Sequence, residues 1–223
     1  MTPSDLPIGR LRIQHEDRIQ SATCFVADLG DGGLAIATNA HAVSGAAGVS
    51  LVSVETGSGE FSAPVDLPLK LVRTFADEKP DLCFLSADTA VEVVLEMGVR
   101  PENLAIKLLD ARSPRSRGTF EYYGYERTDL GYQLQRFEGD FPEDFDGAAP
   151  RALDLADHQE ILIRTSPSPG CSGSPVFECD TEGDATFLGI LSSRCTLLEH
   201  PSNTDWGSVV SVSAVRSAIR SAA

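Results

Sequence analysis

No apolar run in this chain approaches the ~20 residues a helix needs to span a bilayer. The opening stretch, MTPSDLPIGRLRIQHEDR, lacks the apolar core and small-residue cleavage site of an export signal, so a cytoplasmic chain is expected. Cysteine is scarce and odd in number: Cys24, Cys83, Cys171, Cys179 and Cys195, with no CxxC pair. That pattern excludes a disulfide framework and the common zinc modules, and it fits reduced thiols. Basic residues are outnumbered, 18 against 33 acidic ones, for a formal net charge of -15. A surface of that sign repels phosphate backbones and anionic lipid, so neither nucleic acid nor a membrane is an expected partner. Much of the acid sits in FEGDFPEDFDGAAPRALDLADHQE, residues 137–160, which reads as a solvated loop. No cofactor or metal is expected.

Helical periodicity is also rare. What recurs is short β-rich runs with turn punctuation, among them ATCFVADL, GLAIAT, GVSLVSVE, LCFLSA, TFEYYGY, EILIRTS, TFLGILSS and GSVVSVS. Many short strands at this spacing predict an all-β sandwich or barrel architecture. LGDGG reads as a hairpin turn. Two segments read as helices: TAVEVVLEMG, ending at Gly98 as a C-terminal cap, and SAVRSAIRSAA, with Ser213 as its N-cap. The polar, proline-containing stretch 109–118 reads as a linker. It divides the chain into an N-terminal unit, 1–108, and a C-terminal unit, 119–223. The length is enough for two small barrels sharing an interface.

The four histidines are His15, His41, His158 and His200. His41 lies in GLAIATNAHAVSG, where a β run delivers an imidazole among small residues. That suits a base at the end of a strand facing a cleft, and a half-buried structural histidine would look the same. Asp81, in KPDLCFLS, precedes an apolar strand, and Pro80-Asp81 is also ordinary turn chemistry. Ser172 lies in PGCSGSP, between runs that read as strands. Glycines there permit positive φ and can aim successive N–H groups into one concavity, as an acyl-transfer site requires where its oxyanion forms. The serine elbow of α/β-hydrolases needs G-x-S-x-G between a strand and a helix, with acid and histidine following. Here Ser174 stands at the last position and no βα unit follows. The other order, histidine, aspartate, serine, is met by His41, Asp81 and Ser172.

These motifs, on a two-part β-rich chain, resemble the trypsin-like, chymotrypsin-fold serine peptidases. TNAH at 38–41 matches that family's T-[AN]-A-H; DLCFL at 81–85 is similar to D-[IL]-A-[LV]-L; GCSGSP at 170–175 is similar to G-[DN]-S-G-G-P. LGILSS resembles the strand lining the substrate cleft, and GSVVSVSAVRSAI the last strand and C-terminal helix. The similarity runs over roughly residues 10–223 and is nearest to the disulfide-poor bacterial branch that includes the high-temperature-requirement proteases, without the peptide-binding domain that follows in those. The resemblance implies two six-stranded antiparallel β-barrels with the site between them. It implies His41 as general base then acid, Asp81 orienting it, Ser172 as the acylated nucleophile, and the N–H groups of Gly170 and Ser172 as the oxyanion hole. The partner it implies is a protein or peptide substrate, with a regulatory protein as a further candidate.

The departures are informative. Cys171 stands where zymogen-type relatives carry an aspartate that pairs with a newly cut N-terminus, so activation by clipping is not expected. Cys171 is not expected to be the nucleophile, because related viral cysteine peptidases place theirs at the position of Ser172. Ser174 replaces a glycine, a strained choice if its φ had to be positive. Counting from the family's pocket puts Ser166 at the floor of the primary specificity pocket, with Ser192 and Gly207 in its wall. Residues 191–194, including Ser193 and Arg194, would pair with substrate as an added strand. A neutral floor favours small or apolar side chains over arginine or lysine; Arg194 could meet an acidic group or simply be a surface residue. The alternative function is a silent module of this fold that binds peptides or partner proteins, and an esterase would share the same chemistry.

Overall fold

The computed structural model describes residues 2–30, 33–74, 80–108, 119–140, 160–180, 185–195 and 206–220. The first unit runs β1 (Pro7–Gln14), β2 (Ile19–Asp28), β3 (Leu34–Thr38), α1 (Ala40–Val43), β4 (Gly48–Thr56), β5 (Ser62–Leu69), β6 (Leu71–Thr74), β7 (Cys83–Ser86), α2 (Asp88–Glu96) and β8 (Ile106–Lys107). The second runs β9 (Thr119–Thr128), β10 (Gly131–Asp140), β11 (Glu160–Ile163), β12 (Pro175–Cys179), β13 (Ala185–Cys195), β14 (Trp206–Ser211) and α3 (Val212–Arg220). The first sheet orders its strands β5-β4-β1-β2-β3-β7-β6, with β8 added parallel to β2; the second orders β10-β9-β12-β13-β14-β11. Two β units and a C-terminal helix are therefore present as expected. The first sheet carries eight strands rather than six. The expected linker and most of the acidic stretch lie outside the described residues.

Strand alternation builds three apolar layers. In β2, Ala22 and Cys24 point into the interior of the first sheet with Leu11, Ile13, Ile36 and Leu51. The other face of the same strand presents Phe25 and Ala27 to a shared layer. In β9, Phe120 and Tyr122 join the interior of the second sheet with Val176, Leu191 and Val209. Tyr123 and Tyr125 turn to the shared layer, where they meet Leu6, Ile8, Phe84, Val210 and Val215. Strands buried on both faces read as continuous apolar runs, which is why ATCFVA and TFEYYGY carry little polar punctuation. The seam is aromatic. Phe187 packs edge-on against Phe25 of the first sheet and Phe177 of the second, each at 5.9 Å between ring centroids. Each such pair adds about 0.5–1.5 kcal/mol beyond area burial.

The helix α2 ends before Gly98, as expected. The C-terminal helix starts two residues earlier than its sequence suggests. Ser211, at the end of β14, accepts the N–H of Ala214 through Oγ at 3.2 Å and so acts as the cap, in place of Ser213. The strand runs straight into the helix, and the strand's last residue does the capping.

Candidate active site

The first half of the site follows from strand register. β3 and β7 pair antiparallel, with Thr38 opposite Cys83. The residues after Thr38 and those before Cys83 therefore emerge at the same end of one strand pair. His41 falls there, just past the end of β3, on the one-turn helix α1. Asn39, fully buried, donates from Nδ2 to the Asp81 carbonyl at 3.0 Å and fixes the two segments together.

Asp81 grips His41 twice. The backbone N–H of His41 donates to Oδ1 at 2.8 Å, and ring Nδ1 lies 2.6 Å from Oδ2. Oδ2 also accepts the hydroxyl of Ser192 at 2.5 Å. Burial alone would push the Asp81 carboxyl up; the bonds from the His41 ring, the Ser192 hydroxyl and the His41 backbone, with the charge of His41, outweigh it and hold the group below its ordinary value. An ionised carboxylate only accepts, so Nδ1 carries a proton, and whenever the ring is neutral it is Nε2 that presents the lone pair. The ring stays half exposed, and Asp81 does not.

The second half is a loop between β11 and β12. Its order comes from pinned peptide planes, since a trans peptide points its C=O and N–H opposite ways. The Gly170 carbonyl accepts Thr23 Oγ1 at 2.8 Å, while the Cys171 N–H on the same plane reaches Ser168 O at 3.1 Å. The Cys171 carbonyl accepts Ser174 Oγ at 2.6 Å and Ser174 N–H at 3.1 Å, which turns the Ser172 N–H away from that turn. The Ser172 carbonyl accepts the N–H of Thr23 at 2.8 Å, and the Gly173 N–H reaches Leu191 O at 2.9 Å. The N–H groups of Gly170 and Ser172 have no partner among the described residues. Gly170 sits at φ 106 and Gly173 at φ 91, a region that side chains disfavour. Gly173 has no alternative: a Cβ there would run into Thr23 O and Thr38 Oγ1.

Cys171 is fully buried in the second interior, and burial pushes its thiol up to about 12. A thiol so placed is a packing group, as expected. Ser174, also fully buried, closes the turn with its hydroxyl. The room it occupies comes from Gly124 on β9, where a Cβ would collide with Ser174 Oγ and press on Cys171 Sγ at 3.1 Å.

Ser172 Oγ donates to the Ser192 carbonyl at 3.1 Å, rather than to His41. Ser192 is thus shared: its carbonyl faces Ser172 and its hydroxyl faces Asp81. The sequence places it in the pocket wall and in the substrate-pairing segment 191–194, not beside Asp81. Ser166 is exposed. Gly207 is buried opposite Ile163 and Arg194, and the space beside its Cα is filled by Thr165, Leu191 and Ile163 side chains. Ser193 and Arg194 continue β13 opposite Ser208 and Gly207; their side chains lie outside the described residues. Sequence reasoning missed Thr23, Asn39 and the hydroxyl of Ser192. The available signal was a fully buried polar residue inside an apolar run, as in ATCFVA. Among the described residues no cluster of histidine, cysteine or carboxylate is arranged to hold a metal, and no helix is long and apolar enough to cross a membrane.

Two antiparallel β units followed by a C-terminal helix make the chymotrypsin-like fold. No family model and no curated protein sequence matches the chain. Solved structures do. The protease Anisep from Arthrobacter nicotinovorans superposes over 99% of this chain and 98% of its own, with a TM-score of 0.57 at 15% identity. The thermostable serine protease AL20 from an extremophilic microorganism gives 0.57 at 16% identity over 99% and 97%. The HtrA-type protease AlgW, solved with a tripeptide, gives 0.50 at 14% identity over 96% of this chain and 58% of its own. At these identities the likeness is one of fold.

Proposed function

We propose that this chain is an intracellular serine endopeptidase of the trypsin-like kind. His41 takes the Ser172 proton through Nε2 and later returns it to the leaving amine. Asp81 holds the ring in the tautomer that allows this and stabilises the imidazolium without taking the proton. The N–H groups of Gly170 and Ser172 receive the oxyanion of the tetrahedral intermediate. The reading rests above all on one observation: Ser192 joins the doubly anchored His41–Asp81 pair to Ser172, whose own N–H, like that of Gly170, has no partner among the described residues. Free thiols at Cys24, Cys83, Cys171 and Cys179 favour a reducing compartment. In this reading substrate adds as a strand along residues 191–194 of β13, as peptides bind in related folds. Ser166 and Ser192 present no charge to the substrate side chain; Gly207 is packed against Thr165, Leu191 and Ile163 and adds no space. The two units, 1–108 and 119–223, act as halves of one cleft.

The test is labelling with a serine-directed fluorophosphonate. Purified protein reacts, and Ser172→Ala abolishes the reaction; labelling that persists in the variant overturns the assignment. One observation favours a second reading, a module that binds peptides or a partner protein without cleaving them. The Ser172 hydroxyl donates to the Ser192 carbonyl and must give up that bond before His41 can take its proton. Tight binding across a peptide library with no cleavage selects that reading.

A further inference from the structure

The loop that carries Gly170 and Ser172 has no N-terminal amine to order it, because Cys171 stands where the ion-pairing aspartate would be. Its order comes from elsewhere in the molecule. Thr23 lies on β2, in the first sheet, and has the same strand parity as Phe25 and Ala27, so it faces the seam. It is fully buried. Its backbone and side chain make four hydrogen bonds to segments remote in sequence. Oγ1 accepts the N–H of Tyr125 at 3.0 Å and donates to the Gly170 carbonyl at 2.8 Å. Its N–H donates to the Ser172 carbonyl at 2.8 Å, and its carbonyl accepts Thr38 Oγ1 at 2.9 Å.

The polarity of that hydroxyl is not free. The Tyr125 N–H can only donate, so it occupies a lone pair on Oγ1 and leaves the single hydroxyl proton for Gly170 O. Tyr125 is itself held: its ring is fully buried in the seam, and Ile8 O at 3.2 Å and Glu55 Oε1 at 3.0 Å are the acceptors within reach of its one hydroxyl proton. Thr23 therefore fixes two of the three peptide planes around the nucleophile, one through Oγ1 and one through N–H. The Gly170 N–H belongs to the adjoining Pro169–Gly170 plane, which meets the locked plane at the Gly170 Cα with φ at 106, so that locking the one restricts the other. Through Thr38, three residues before His41, the same residue ties this loop to the segment carrying the imidazole.

We propose that Thr23 is the positioning residue of the oxyanion hole: its hydroxyl, held by the Tyr125 N–H, locks the Gly170 carbonyl and thereby aims the Gly170 N–H into the cleft. This rests on the peptidase reading. It makes the hole a built-in product of the two sheets docking, with no cleavage event needed to form it.

The test uses the full chain with Thr23→Val, which keeps shape and backbone but removes the hydroxyl, and Thr23→Ser, which restores it. Thr23→Val lowers kcat and the fluorophosphonate rate by about 10²–10³, the loss expected for one oxyanion donor, with KM little changed. Affinity for a peptide boronate, which mimics the tetrahedral intermediate, falls in parallel, while the shape of the pH–rate profile is retained. Thr23→Ser recovers the rate to within about tenfold of wild type because the hydroxyl returns. Should Thr23→Val fail to fold, Thr23→Ala, which leaves room for a water, takes its place. A folded valine or alanine variant that reacts at the wild-type rate overturns the assignment, and so does a serine variant as impaired as the valine one. An unreactive wild type removes the peptidase reading, and this assignment with it; a reactive wild type with an equally reactive valine variant removes this assignment alone.

Discussion

The His41–Asp81 half of the site and the Gly170–Ser174 half are held by different kinds of bond. The first is three hydrogen bonds converging on the Asp81 carboxylate, two from side chains and one from the His41 backbone. The second is a succession of backbone carbonyls and N–H groups met by neutral hydroxyls and other backbone, with an apolar thiol beneath. Bonds to an ionised group are the stronger kind and respond to pH. Neutral backbone bonds are individually modest, ignore pH and fail together when geometry is disturbed. The chain thus separates a part that can be chemically tuned from a part that must be sterically correct.

The largest effect should come from the steric half. Gly173→Ala places a Cβ against Thr23 O and Thr38 Oγ1 and forces a side chain into positive φ. Overpacking and backbone strain together cost about 3 kcal/mol or more. A melting temperature lower by roughly 10 °C, with activity lost, is the expected result by calorimetry; a variant that melts like the wild type contradicts the packing described here.

Next comes the electrostatic half. Asp81→Asn keeps the fold but removes the acceptor that fixes the Nδ1–H tautomer, and kcat should fall by about 10⁴. Circular dichroism unchanged beside that loss sharpens the contrast between the halves. A loss of only a few-fold would mean that the tautomer is set by something other than Asp81.

The smallest effect is on stability in acid. The Asp81 carboxyl titrates below its unfolded value, so its stabilisation is complete above the ordinary carboxylate range and is lost as pH falls through the lowered folded value. Ser192→Ala removes one of the bonds that lower it. The acid-induced drop in melting temperature should then begin at higher pH than in the wild type, with little change near neutrality. Coincident acid limbs would show that the Ser192 bond contributes nothing to holding the charge.

What could be read from the sequence divides along the same line. TNAH, DLCFL and GCSGSP are local words, and each puts a reactive side chain in a context that short-range chemistry can interpret. The strand runs and the stop of α2 before Gly98 are local as well. The bonds that organise the second half are not. Thr23 meets Gly170 across 147 positions, and Ser192 meets Asp81 across 111. A bond between distant strands leaves no periodicity in either, only a polar residue where an apolar one would have served. Ser211 as a helix cap was hidden for a related reason, since it belongs to a strand by pattern and to a helix by hydrogen bond.

Gly124 and Ser174 are one fit in two places. A side chain at 124 and the Ser174 hydroxyl would occupy the same space, so β9 must stay bare there for the serine to close its turn. Transplanting GCSGSP into another scaffold of this fold therefore requires carrying a residue from 46 positions upstream of Gly170 along with it.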